Sequence, residues 1–318
     1  METPEKVFTM DSTTYIKKNL ANFERIMGYP PPGKVYTPLD PEDHPELDTS
    51  EFLTEEQKKI YWSLIGMLQW AVTLGRIDIN VHVMTMARFR MEPRIGHLKR
   101  LERIFSYLKY YKSTSIKFRT KKPEYSKYTE VKHDWKYIYG NVTEELPSDM
   151  PSPKGKDCII SAFCDANLYH CKVTGRAVTG IICLLNKTPI EWVSKRQGTV
   201  ETATYGSELV ASRITTDLIV ELRYALRMLG VPISGPSYVF GDNQAVVNSS
   251  CIPEYNLKKR HNALAYYRVR EAIAAGILVY FHIDGKTNPA DLLTKFLTHG
   301  VLCPLIKPIV HWIWNEES

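Results

Sequence analysis

Four acidic residues, Asp165, Glu208, Asp242 and Asp291, stand where a carboxylate could do chemistry. Asp165 follows Cys158-Ile159-Ile160-Ser161-Ala162-Phe163-Cys164, a run apolar on both alternating faces, which predicts a central strand covered on both sides. A carboxylate at the carboxyl end of such a strand sits where open α/β sheets place their ligands. Asp242 repeats the arrangement after Tyr238-Val239-Phe240-Gly241, and the glycine allows close backbone approach. Glu208 shares a helical stripe with Ala211, Thr215, Leu218 and Leu222, the inward face, where an unpaired carboxylate costs on the order of several kcal/mol. Asp291 lies in Asn288-Pro289-Ala290-Asp291, a good helix start in its own right.

Each acid also has a plain structural explanation. Asp165 could open a turn, Glu208 could sit near a positive helix end, and Asp242 could cap the next helix. Four in this order on an α/β layout are harder to explain singly. Hard divalent cations take oxygen ligands, and Mg2+ accepts a few carboxylates together with waters and substrate phosphate. Two such ions, Mg2+ or alternatively Mn2+, held about 3.5–4 Å apart stabilise both oxygens of an in-line phosphoryl displacement. The expected chemistry is two-metal phosphodiester hydrolysis, with all four acids as metal ligands.

Strands are predicted at about 157–165, 178–185 and 189–194, then a helix from about Thr202 to Leu229 closed by Gly230 and Pro232. A strand at about 237–241, a short helix Gln244 to Asn248, a helix from about Asn262 to Ala275 and a strand Leu278 to Ile283 follow. A final helix opens at Asn288-Pro289. The predicted class is α/β with a mixed five-stranded sheet flanked by helices.

Upstream the pattern is helical: Tyr15 to Met27, a helix capped by Thr54, Ile77 to Phe89, and Ile95 to Tyr111. Pro30-Pro31-Pro32-Gly33 and Pro38-Leu39-Asp40-Pro41 mark a connector between the first two. The outer face of the last helix is basic, with Lys99, Arg100, Arg103, Lys109 and Lys112. It reads either as a solvated face or as a phosphate-backbone track. Residues 122–156 mix charge, Pro and Tyr without period and read as a linker.

The chain has 318 residues, 44% hydrophobic and 24% charged, enough for a sizeable core in two compact domains or in one domain with a long helical extension. A net charge of +6 is compatible with a polyanionic partner. The six cysteines show no C-x-x-C pair, so reduced thiols are expected and a zinc-binding module lacks ligand spacing. Met1 to Lys6 carries no secretory signal and no apolar run is long enough to span a membrane, so a cytoplasmic protein is expected, with nuclear entry or virus-like particles as variants.

With those residues in hand, 157–297 resembles the ribonuclease H domain of copia-type long-terminal-repeat retrotransposon polyproteins. The likeness rests on Asp165-Ala166-Asn167, Thr179-Gly180, Pro189-Ile190-Glu191-Trp192, Ser194-Lys195-Arg196-Gln197 and Glu201 to Glu208. It continues through Gly241-Asp242-Asn243-Gln244, Lys259-Arg260-His261-Asn262, Arg268 to Ala272, and Asn288 to Lys295. Tyr61 to Gln69, Arg76 to Ile79, His97-Leu98-Lys99 and Tyr107-Leu108-Lys109 resemble the reverse transcriptase thumb and connection region of the same polyproteins. The implied organisation is a thumb/connection-like helical region over 1–121, a linker over 122–156, a ribonuclease H-like domain over 157–297 and a tail over 298–318.

The resemblance implies cleavage of the RNA strand of an RNA-DNA hybrid at Asp165, Glu208, Asp242 and Asp291. It implies hybrid contacts from Ser194, Lys195, Arg196, Gln197 and Asn243, and, along the basic helix, from Lys99, Arg103 and Lys109. The rest of a reverse transcriptase is the implied partner. No Asp-Asp dipeptide occurs in the chain, so no polymerase activity is expected of it alone. Ribonucleases H carry a histidine in the loop before the last acid; the nearest candidates for that auxiliary role are His282, inside a predicted strand, and His261, at a helix start. The rival expectations are an inert retroelement fragment that binds nucleic acid or a polymerase partner, and a related nuclease or transposase acting on DNA.

Overall fold

The computed structural model describes residues 8–257 and 259–312; the charged stretch Met1 to Lys6 lies outside them. Along the chain run β1 (Thr9–Asp11), α1 (Thr13–Met27), α2 (Glu55–Thr73), α3 (Asn80–Met86), α4 (Ile95–Tyr110), β2 (Thr114–Lys117), α5 (Lys136–Tyr139) and β3 (Ile160–Asn167). They continue with β4 (Val178–Leu185), β5 (Thr188–Arg196), α6 (Thr204–Met228), β6 (Ser237–Gly241) and α7 (Gln244–Cys251). The remainder are α8 (Ala263–Ala274), β7 (Leu278–His282), α9 (His299–Ile306) and β8 (His311–Trp312). Two compact units divide the chain: residues 1–118, 170–175 and 291–318 in one, 119–169 and 176–290 in the other.

The first unit is mostly helical. Thr54 caps α2 in a reciprocal box, its hydroxyl accepting from Gln57 N while Gln57 Oε1 accepts from Thr54 N. The helix expected over Ile77 to Phe89 is shorter: α3 is α-helical, and 3-10 turns at Ile77–Ile79 and Ala87–Phe89 flank it. The entry is fixed by Arg76, whose Nε and Nη2 donate to Asp78 at 2.9 and 2.6 Å, both residues being buried. β1, β2 and β8 form a three-stranded antiparallel sheet.

The basic face of α4 is engaged by the Pro-rich connector. Arg100 clamps Asp43 bidentately at 2.7 and 2.8 Å and reaches Asp48 at 2.5 Å. Arg103 meets Asp40 at 2.6 Å, and Lys109 Nζ lies 3.4 Å from the Pro31 carbonyl. Lys99 is exposed.

The second unit holds a five-stranded mixed sheet in the order β5-β4-β3-β6-β7. β3, β4 and β5 are antiparallel neighbours, whereas β6 runs parallel to β3 and β7 parallel to β6. α6 and α8 cover one face over Ala162, Cys164, Ile181, Leu209, Val239 and Val269. On the other face Phe163 stacks on Phe240 at 4.9 Å, and Tyr125 and Tyr128 pack against Phe240 at 5.0 and 4.9 Å. Segment 122–156 is therefore part of this unit's packing. Within it, Glu144 receives bidentate pairs from Arg223 and Arg227.

This order and mix of directions, with helices on the sheet, is the ribonuclease H-like α/β fold expected from the sequence, preceded in the chain by a mostly helical unit. All six cysteines are free thiols. No helix among the described residues is long and apolar enough to cross a membrane.

Candidate metal centre

The register of two parallel strands brings the first pair of acids together. Phe163 of β3 stands beside Phe240 of β6, so two residues further along each chain Asp165 and Asp242 reach the same level. β6 ends at Gly241, while β3 runs on to Asn167 paired with β4. Asp165 therefore does not end its strand, as the sequence pattern predicted; it sits where β3 loses its partner on one side only. The run Ala166-Asn167 is short and mixed, and carries no apolar signal that would extend the strand.

Glu208 comes from the second turn of α6. Its stripe partners Ala211 and Thr215 are buried, and Leu218 is partly so. One carboxylate oxygen from each of Asp165, Glu208 and Asp242 lies within 4.8 Å of the other two. Asp165 is 1% exposed and Glu208 8%, so two of the three are largely withdrawn from water. Like charges at this spacing repel, and a divalent cation between them turns that repulsion into attraction. An all-oxygen, anionic donor set from three separate elements fits a hard cation such as Mg2+ or Mn2+. The field of Glu208 reaches beneath the sheet surface: burial, reinforced by that carboxylate, pushes the Cys164 thiol up to about 12.

The loop after β7 closes on this centre from one side. Asn288 is fully buried; its Nδ2 donates to the Cys164 carbonyl at 2.9 Å and its Oδ1 accepts from Ala290 N at 3.1 Å. A Cβ at Gly285 would stand 2.9 Å from Asp242 Oδ2, so only glycine lets the loop pass this carboxylate unhindered. The sequence marks Asn288 as a helix cap and as part of the stretch that carries the family resemblance. Its amide does cap, and it also ties the loop to β3. The α-helix expected from Asn288-Pro289 is one 3-10 turn, Pro289–Leu293. Asp291 falls in the first unit and is not a member of the three-carboxylate group; Lys295 Nζ donates to its Oδ1 at 2.6 Å.

The other expected site residues divide by exposure. Lys195 and Arg196 are exposed at the end of β5. Ser194 and Gln197 are buried, and Gln197 Nε2 donates to Thr179 Oγ1 at 3.0 Å and to the Ser207 carbonyl at 2.8 Å, bracing the start of α6. Asn243 caps α7, its Oδ1 accepting from Ala245 N and Val246 N. His282 is exposed at the last position of β7, with Nε2 3.0 Å from the Asp242 carbonyl. His261 Nε2 lies 3.1 Å from Glu201 Oε2, a buried carboxylate that the sequence reading did not single out.

No family model matches the chain. A retrovirus-related Pol polyprotein from transposon RE1 of Arabidopsis thaliana is 24% identical over 284 residues, 89% of this chain and 17% of that protein. The corresponding polyprotein from transposon TNT 1-94 of Nicotiana tabacum is 24% identical over 235 residues, 74% of this chain and 15% of that protein. The chain thus spans about a sixth of the length of these curated relatives, which are copia-type transposon polyproteins. Among solved structures, the N-terminal RNase H domain of rv2228c from Mycobacterium tuberculosis aligns with a TM-score of 0.34 at 14% identity, over 47% of this chain and 97% of that one.

Proposed function

We propose that this chain is a divalent-metal-dependent ribonuclease H that hydrolyses the RNA strand of RNA-DNA hybrids, as one part of a retrotransposon polyprotein. The observation that carries the reading is the convergence of Asp165, Glu208 and Asp242 from three elements to within 4.8 Å. Divalent ions held there would lower the pKa of water so that its deprotonated form can attack a phosphodiester, and would supply charge to stabilise the leaving oxygen. Asp165 and Asp242, level with each other where β6 ends beside β3, would hold the ions most directly. Glu208 approaches from α6 and faces the substrate side, where a ribose 2′-hydroxyl distinguishes RNA from DNA. Phosphate oxygens of the bound hybrid complete a donor set that three carboxylates leave open. Lys195 and Arg196, both exposed at the end of β5, are the cations of the second unit proposed to meet the sugar-phosphate backbone; in the first unit the exposed Lys99 is proposed for the same kind of contact.

The test is cleavage of an end-labelled hybrid in Mg2+ and in Mn2+, alongside duplex DNA and single-stranded RNA. Removing a metal ligand forfeits several kcal/mol of transition-state stabilisation, so Asp165→Asn and Asp242→Asn should each lower the rate by roughly a thousandfold. Metal-dependent cutting of the hybrid alone, lost in both variants, supports the assignment. Cutting that survives both substitutions removes it. A wild-type chain that binds hybrid without cutting it is the inert-fragment reading instead.

A further inference from the structure

Tyr280 lies in β7, a strand that gives no carboxylate to the centre, and its ring is buried. A buried phenol needs a partner for its hydroxyl, and this one has neighbours on three elements. Tyr280 Oη lies 2.7 Å from Ser212 Oγ and 3.6 Å from Cys164 Sγ. Ser212 Oγ is also 2.8 Å from the Glu208 carbonyl oxygen, which can only accept. The serine proton therefore goes to Glu208, and the Tyr280 O–H donates to Ser212. Cys164 is the residue before Asp165. Gly241 is the residue before Asp242, and a Cβ there would stand 2.5 Å from Tyr280 Oη. One hydroxyl thus contacts Cys164, a residue upstream of Asp165, and Ser212, a turn downstream of Glu208, and occupies the space that a side chain at Gly241, a residue upstream of Asp242, would need.

We infer that Tyr280 is a positioning residue that sets the spacing of Asp165, Glu208 and Asp242 through Cys164, Ser212 and Gly241, so that its hydroxyl tunes how tightly the centre holds a divalent cation. The inference rests on the reading of that centre as a metal site. Polar groups one layer behind metal ligands fix ligand geometry and commonly change affinity by about 10- to 100-fold when removed. Tyr280 acts from further back, through a single neutral hydrogen bond, so the effect falls at or below the lower end of that range.

The experiment is a titration of the full chain with Mn2+ alone, by calorimetry, for the wild type and Tyr280→Phe, together with metal-dependent hybrid cleavage. The phenylalanine keeps the ring and deletes only the donor. Tyr280→Phe is expected to weaken Mn2+ binding about three- to tenfold, with KM for the hybrid unchanged and kcat recovered at saturating Mn2+. A purely structural role would lower the melting temperature and leave the metal half-saturation where it was. Ser212→Ala cuts the same chain one atom further on and should shift affinity in the same direction. Mn2+ affinity within twofold of wild type in both variants overturns the inference. Absence of saturable Mn2+ binding in the wild type overturns the metal reading itself, which is a different outcome from an unshifted variant.

Discussion

At His82 the imidazole is buried and lies flat against Phe296, with ring centroids 4.9 Å apart. Burial lowers its pKa to about 3; the Asp78 charge opposes this, while His170 and Arg103 add to it. An exposed imidazole in the unfolded chain titrates near 6.5. Below that pH the unfolded state takes up a proton that the folded state refuses, so stability falls as pH drops from about 6.5 toward 3. At pH 5 the contribution of this one residue is ~2 kcal/mol. The melting temperature of the wild type should therefore drop between pH 7.5 and pH 5, and His82→Gln, which cannot take the proton, should flatten that slope. An unchanged slope would place the acid sensitivity elsewhere. The same scale holds the clearest limit of sequence reading. Asp165, Glu208 and Asp242 were legible because each interrupts an apolar pattern. Tyr280 and Ser212 were not, because a tyrosine in a strand and a serine in a helix break no pattern.

At the scale of elements, boundaries set by capping and turn chemistry were readable: Thr54 with Gln57 at the start of α2, and Gly230 with Pro232 after α6. Boundaries set by a neighbour were not. β3 outruns its predicted end because β4 continues to pair with it, and nothing in residues 166–167 encodes that partner. The basic face of α4 is a similar case. Its partners Asp40, Asp43 and Asp48 lie in a Pro-rich stretch without period, which no helical or strand pattern places on α4. Asp48 carries the mark of the contact: partial burial raises its pKa, but bonds from Ser50 and Arg100 outweigh this and hold it at about 2. Arg100→Ala should cost the first unit roughly 1–3 kcal/mol and open residues 29–48 to limited proteolysis, while leaving hybrid affinity unchanged. A loss of hybrid affinity without a loss of stability would return Arg100 to the phosphate-contact reading that Lys99 keeps.

At the scale of the molecule, the aperiodic segment 122–156 does more than join two regions. Tyr125 and Tyr128 cover Phe240 and Phe281, Trp135 lies 4.8 Å from the Arg270 guanidinium, and Glu144 bridges Arg223 and Arg227. Glu144 is pushed up by burial, yet the two guanidiniums hold it at about 2. A chain beginning at Asp157, the boundary that composition alone indicates, would expose one aromatic face of the sheet and leave two buried arginines without their carboxylate. Expressed side by side, 119–290 should stay soluble with a cooperative melt, and 157–290 should melt several degrees lower or aggregate. Equal melting temperatures would reduce the segment to a tether.

The three-stranded sheet of the first unit joins Thr9–Asp11 to Thr114–Lys117, and those in turn to His311–Trp312. During synthesis, β2 waits for nearly two hundred further residues before its second neighbour leaves the ribosome. At about 5–20 residues per second that interval lasts on the order of ten seconds or more, far longer than hairpin or helix formation. Until then one edge of β2 stays open to pairing with another nascent chain. Of the two units, the helical one thus emerges first and is sealed last.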